Sequence, residues 1–142
     1  MLIPRLSKWC VAIPLLLCGI GALAGDSIDS ALKRLSNVEI FAFGGVGYAG
    51  MTSKGEIDFK LVLSQPQPVA LAAFETLYAT GNPQGKSYAL SGIKKLNPNR
   101  FKDLLASLGA STDEVEVERG CIVSHEALRE VARQINRGRF QF

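Results

Sequence analysis

Cys121, the last of three cysteines, and His125, the only histidine, lie four positions apart near the end of the chain. An imidazole beside a thiol can generate a thiolate nucleophile, and Glu118 or Glu126 could orient the ring. The two side chains would meet only in a helix, whereas the residues around Cys121 have an extended pattern. The extended pattern therefore favours a buried thiol and a surface histidine with no catalytic role. Cys121 and His125 are kept as the alternative, a candidate catalytic pair.

The stretch GVGYAG, Gly45 to Gly50, has the spacing of a dinucleotide-binding turn. Such a turn must lead from a strand directly into a helix N-terminus, and then to a second parallel strand. Here the next helix signal begins near Lys54, and the following segment VALAAFETL has a helical pattern. The Gly-Lys-Ser at 85–87 has Thr80 where a phosphate loop needs glycine. The sequence therefore predicts no nucleotide and no cofactor.

Two other roles for the glycine-rich stretch remain open. Its glycines could turn the chain while Val46, Tyr48 and Met51 pack beneath the helices. Alternatively, the stretch is an exposed loop that recognises a partner protein or peptide. On that second interpretation the candidate binding residues are Gly45, Gly47, Tyr48, Gly50 and Met51.

Charged residues give no further catalytic pattern. Glu114, Glu116 and Glu118 alternate with valines, which predicts a strand with one acidic face. That face could attract Ca²⁺, but an EF-hand pattern is absent. A site made of Cys121, His125 and a glutamate is the only other candidate for a metal. The prediction is a solvated strand face and no metal site.

The N-terminal segment has the features of an export signal. Arg5 and Lys8 precede an uncharged run from Trp9 to Gly25, and Ala22-Leu23-Ala24 fits a cleavage site after Ala24. An uncleaved anchor and a lipid on Cys18 are the alternatives. We expect a periplasmic or secreted protein, with a signal peptide at 1–24 and one domain at 25–142. Contact with the membrane would be transient, through the signal alone.

Charge and cysteine content narrow the function classes further. Of the 16 basic residues, Arg5 and Lys8 would leave with the signal, so that 14 remain against 13 acidic ones. This balance gives no indication of nucleic-acid binding.

Cys121 would be the only thiol left, which excludes an intrachain disulfide. Without an intrachain disulfide, the burial of apolar side chains must stabilise the fold. Cys121 could still form an intermolecular disulfide.

Periodicity and capping signals predict mostly helices. Ser53 and Glu56 form a capping box, and the pairs Asn82-Pro83 and Asn97-Pro98 each fit a helix start. Predicted helices cover 27–35, 54–63, 68–80, 83–96, 98–108 and 125–136, the last capped by Ser124. Predicted extended segments are 114–118 and 121–123, while 38–43 is a strand or an extended lead-in. The predicted fold class is mainly α, with stacked helical hairpins and at most a short two-stranded β element.

Three segments carry a resemblance to known proteins. FAFGGVGYAGMTSKGE, GKSYALSGIKKLNP and GCIVS resemble a group of small, uncharacterised exported bacterial proteins. The resemblance spans most of the chain after the signal. It implies export, and it implies no activity and no site residues.

The sequence thus favours a small exported protein without enzymatic activity, which binds a protein, a peptide or a component of the cell envelope. Two alternatives are kept. One is a thiol-dependent enzyme that uses Cys121 and His125. The other is a structural envelope protein that dimerises through Cys121.

Overall fold

Helices and strands are mixed along residues 27–140, which are the residues that the computed structural model describes. The predicted signal, its cleavage site and Cys18 lie outside the described residues. The helices are α1 (Ile28–Ser36), α2 (Lys54–Leu63), α3 (Gln67–Thr80), α4 (Pro83–Leu96), α5 (Pro98–Ser107) and α6 (Leu128–Asn136), with a 3-10 turn at Leu108–Ala110. The strands are β1 (Phe41–Val46), β2 (Met51–Thr52), β3 (Glu114–Gly120) and β4 (Ile122–Ala127).

The four strands form one mixed sheet in the order β2-β1-β3-β4. β1 and β3 are parallel neighbours at its centre, where Phe41 lies beside Val117, and β2 and β4 are antiparallel to them. The prediction of a mainly α fold with at most a short two-stranded element is therefore wrong. The chain has an α+β fold, because a long-range pairing joins two segments that look like isolated extended pieces.

Alternation along β3 decides which face of the sheet meets the helices. Val115 and Val117 are fully buried, whereas the glutamates between them lie on the opposite face. The predicted strand with one acidic face is thus confirmed. Strand β3 therefore buries one face, whereas in β1 the adjacent residues Phe41 and Ala42 are both fully buried.

Helix α4 is the centre of the helical layer. Most of its residues are buried, among them Tyr88, Leu90 and Ile93, and it contacts every other helix. Such all-round burial is typical of a core helix. No helix among residues 27–140 is long and apolar enough to cross a bilayer.

The predicted caps explain where three helices begin. The side-chain oxygens of Ser53, Asn82 and Asn97 each accept a hydrogen bond from the backbone three residues on. This satisfies a helix amide that would otherwise lack a partner. Asn82 does more, since its side-chain nitrogen donates to the Val38 carbonyl at 2.7 Å. It thereby holds the lead-in to β1 against the start of α4.

We expect Asn82→Ala to lower the free energy of unfolding by about 2 kcal/mol, because it removes a cap and a cross-chain hydrogen bond. Asn97→Ala is the matched control, since it removes a cap alone and should cost about 1 kcal/mol. Urea unfolding followed by circular dichroism measures both. Equal losses for the two variants would contradict the role given to the Val38 contact.

The last helix begins later than predicted. Ser124 and His125 lie in strand β4, and α6 begins at Leu128 after Ala127, with no side-chain cap. The prediction of a helix from His125 capped by Ser124 is therefore wrong. The residues 122–127 pair with β3 along their whole length, and this pairing outweighs the local capping signal.

The chain turns back after α6. Gly138 adopts a positive φ of 73°, which glycine tolerates without strain, and the turn returns Phe140 to the core. The Phe140 ring lies 4.8 Å from that of Phe41, edge to face. Residue 140 therefore closes the aromatic cluster around β1.

Candidate functional site

The glycine-rich stretch forms the β1–β2 hairpin. Val46 pairs with Met51, so that Gly47, Tyr48, Ala49 and Gly50 make a four-residue loop. Gly47 and Gly50 have φ angles of 66° and 60°, a left-handed conformation that glycine adopts readily. The glycines thus turn one strand back along itself, and no helix follows them directly.

Three glycine amides of this stretch donate hydrogen bonds within the protein. The Gly44 amide donates to the Glu56 carboxylate at 2.8 Å. The Gly47 amide donates to the Gly120 carbonyl at 2.8 Å, and the Gly50 amide to the Gly47 carbonyl at 3.1 Å. A dinucleotide turn needs such amides free for the pyrophosphate. The hairpin differs from that turn in both its topology and its hydrogen bonding.

Glu56 holds the hairpin to helix α2. Ser53 accepts from the Glu56 amide at 3.0 Å, as the capping box predicts. The Glu56 carboxylate does not reach back to the Ser53 amide, and that half of the prediction is wrong. It is buried instead, where it accepts from Gly44 and, at 2.6 Å, from Lys60.

Tyr88 supports the same strand from α4. Its hydroxyl donates to the Ala42 carbonyl at 2.9 Å and accepts from the Ala42 amide at 3.1 Å. Since β2 pairs only with Gly45 and Val46, the side chains of Tyr88 and Glu56 replace a strand partner along the rest of β1. Burial raises the pKa of Tyr88 above its usual 10.0, despite hydrogen bonds from Ser53 and Ala42 that lower it.

Tyr48 and Met51 are solvent-exposed at the end of the sheet. Tyr48 has essentially its whole side chain in solvent, and Met51 is 68% exposed. The interpretation that they pack beneath the helices is therefore wrong, because the hairpin projects beyond the helical layer. The second interpretation, an exposed loop, agrees with the position of these two side chains.

The β3–β4 hairpin places Cys121 next to this loop. Arg119 pairs with Ile122, so that Gly120 and Cys121 form a two-residue loop, with Gly120 at a φ of 61°. Cys121 is exposed, and Ile122 is 72% exposed. The bond between Gly47 and Gly120 joins the two loops. We call residues 47–51 and 120–123 together the hairpin-tip surface.

The hairpin-tip surface exposes large apolar side chains from both hairpins, at Tyr48, Met51, Ile122 and Val123. It crosses the ends of all four strands, roughly 14 Å at the usual spacing of neighbouring strands. Ile122 pairs with Arg119 and Val123 with Glu118, so these two side chains lie on opposite faces of the sheet. The sequence predicts a candidate binding loop at residues 47–51. Only the β1–β3 pairing shows that Cys121 and Ile122 lie beside this loop.

Cys121 and His125 are not brought together. Cys121 lies in the turn, while His125 lies three residues along β4 from Ile122, roughly 10 Å by the rise of a strand. His125 is opposite Glu116 on the acidic face of the sheet. Within residues 27–140, no three acidic, histidine or cysteine side chains cluster as metal ligands would.

A second surface lies between the β3–β4 pair and helix α6. An open cleft of about 760 Å³ is lined by Arg119, Glu126, Glu130, Gln134 and residues 137–139. The sequence gives no prediction of this cleft. The only available signal was the spacing of Glu130, Gln134 and Arg137, which share one side of a helix.

The floor of this cleft is a fixed polar network. Arg119 donates to Glu126 at 2.5 Å and to Gln134 at 2.6 Å, and its guanidinium lies 5.1 Å from the centre of the Phe140 ring. Partial burial acts to raise the pKa of Glu126, but hydrogen bonds from Arg119, Ser124 and Gln134 outweigh it, so that the pKa is lowered. Glu126 therefore stays ionised at neutral pH.

No family of known proteins, no curated protein sequence and no solved structure matches this chain.

Proposed function

We propose that this chain is a non-enzymatic binding module of an exported protein, which contacts a protein, peptide or envelope component through the hairpin-tip surface. The full exposure of Tyr48 carries the proposal. A tyrosine held entirely in water contributes nothing to the core, and tyrosine is among the residues that contribute most at protein interfaces. Met51 and Ile122 add adaptable apolar area on either side.

The rigidity of the support favours the same proposal. The tip stands on two hairpins joined by the bond between Gly47 and Gly120, and Glu56 and Tyr88 anchor the strand beneath it. A contact surface that is already ordered loses little conformational entropy on binding. The export signal predicted at 1–24 gives the compartment in which the partner is to be sought.

We expect a photo-reactive p-benzoylphenylalanine at position 48 to crosslink to discrete partners in the native cell envelope. Tyr48→Ala should reduce capture of those partners about tenfold, as loss of a central aromatic contact does. The matched control is the same photo-reactive residue at Val69, which is 48% exposed on α3. Identical crosslinks from positions 48 and 69, or undiminished capture by Tyr48→Ala, would refute the proposal.

A second candidate is a structural protein that dimerises through Cys121. The exposure of Cys121 among apolar neighbours at the hairpin-tip surface favours it. We expect a covalent dimer on a non-reducing gel of protein isolated from the envelope, which Cys121→Ser abolishes. Protein that migrates as a monomer, with its thiol free to label, would rule this candidate out.

A further inference from the structure

Strand β4 forms an open edge of the sheet. It pairs with β3 on one side, and within residues 27–140 no strand lies on the other. Ile122, Val123 and His125 are exposed, and residues 122–127 contain neither proline nor lysine, the residues that commonly block such edges. Six residues of unblocked strand can accept the backbone of an added extended segment.

The arginine-lined cleft lies beside this open edge. Glu126 belongs to β4, whereas Gln134 belongs to α6, and both line the cleft. A segment added alongside β4 would lie on the outer side of this strand, next to the cleft. Since side chains alternate along a strand, every second side chain of that segment would face the cleft.

The charges of the cleft select the chemistry of the segment. The charge of Glu126 is balanced by Arg119, and Glu130 pairs with Arg133 at 3.3 Å and more distantly with Arg137 at 3.8 Å. Arg139 makes no ion pair within the described residues. The surplus positive charge therefore lies at Arg137 and Arg139, where a carboxylate would be stabilised.

We propose that the groove between β4 and α6 binds an extended acidic peptide segment, which joins the sheet as a fifth strand and places a carboxylate at Arg137 and Arg139. Backbone hydrogen bonds to β4 would supply much of the affinity, and the arginines the preference for acidic side chains. The two surfaces share Ile122 and Val123, but the groove extends from there along the sheet edge to Arg137 and Arg139 and does not include Tyr48.

The test measures fluorescence anisotropy of three labelled decapeptides with the folded protein. The first alternates threonine and glutamate, the second alternates threonine and lysine, and the third is the first with every backbone amide N-methylated. We expect the first to bind and the other two to bind at least about tenfold more weakly, since the second carries the opposite charge and the third has no backbone donors. Equal binding of all three, or no binding of the first at about 1 mM, overturns the proposal.

Variants locate the site. The double variant Arg137→Gln with Arg139→Gln should weaken binding about tenfold, whereas Arg129→Gln, on α6 but outside the cleft, should change it less than about twofold. Tyr48→Ala should leave peptide binding unchanged. Loss of binding in Tyr48→Ala would assign the peptide to the hairpin-tip surface and overturn the groove. If the double variant fails to fold, the N-methylated peptide still tests strand addition to β4 on the unaltered protein.

Discussion

Phe41→Ala is expected to lower the free energy of unfolding by about 3–5 kcal/mol, the usual range when a buried aromatic ring is removed. Phe41 is fully buried, and its ring contacts those of Phe43, Tyr88 and Phe140, all edge to face. The loss includes these ring contacts and a cavity between β1 and α4. Because a domain of this size is stable by only about 5–15 kcal/mol, the variant should be near the limit of folding at 37 °C.

Urea unfolding at low temperature, followed by far-UV circular dichroism, measures this change in the free energy of unfolding. Val69→Ala is the control, since Val69 is half-exposed on α3 and should change stability by less than about 0.5 kcal/mol. A loss below about 1 kcal/mol for Phe41→Ala would mean that the aromatic cluster does not form the centre of the core.

Tyr88→Phe is expected to cost about 1–3 kcal/mol, although it removes a single oxygen atom. The hydroxyl serves both the amide and the carbonyl of Ala42 in a buried position. Without it, Ser53 still donates to the Ala42 carbonyl at 3.0 Å, but the Ala42 amide loses its acceptor. An unsatisfied buried donor carries its full desolvation cost.

Tyr48→Phe is a matched control for this substitution, because it makes the same chemical change on a fully exposed side chain. It should leave stability unaltered within about 0.5 kcal/mol. Equal effects of the two substitutions would contradict the assignment of the Tyr88 hydroxyl to β1.

Alkaline pH gives a second readout for Tyr88. Its pKa is raised in the folded state, so the folded protein keeps a proton that the unfolded chain begins to lose near pH 10. The contribution of Tyr88 to stability is therefore fully present below pH 10 and is lost as the pH rises through the folded-state pKa. Tyr88→Phe should flatten this part of the pH dependence.

The helices could be predicted from sequence because their signals are local. Caps at Ser53, Asn82 and Asn97 act on amides three residues away, and the apolar spacing that follows lies within the same segment. These signals also gave close bounds for α2, α3 and α4. The sheet could not be predicted in this way.

The centre of the sheet depends on a pairing between distant residues. Phe41 lies beside Val117, and the residue pattern of neither segment predicts that it pairs with the other. Strand β2 has only two residues, too few for any alternation to show. At 122–127 the sequence offers Ser124 as a plausible helix cap, and only the contact with β3 makes it a strand residue.

The candidate site was predictable only in part. Gly47 and Gly50 predict a turn through glycine geometry, but the sequence leaves open whether Tyr48 is packed or exposed, and only the structure shows that it is exposed. Their proximity to Cys121 depends on the same distant pairing, so the sequence treats the thiol and the loop as unrelated. Glu56 shows the same limit, because its local pattern indicates a cap while its partner belongs to β1.

The replacement of a strand partner by Glu56 and Tyr88 also limits how copies of the protein can assemble. Along β1 these two side chains already take up backbone groups that a further strand would need. Among residues 27–140, β4 is the one long strand edge without a neighbour. Edge-to-edge association through β4 therefore joins two copies. Within the described part of the chain, the resulting pair presents no second long strand edge at which a fibril could continue to grow.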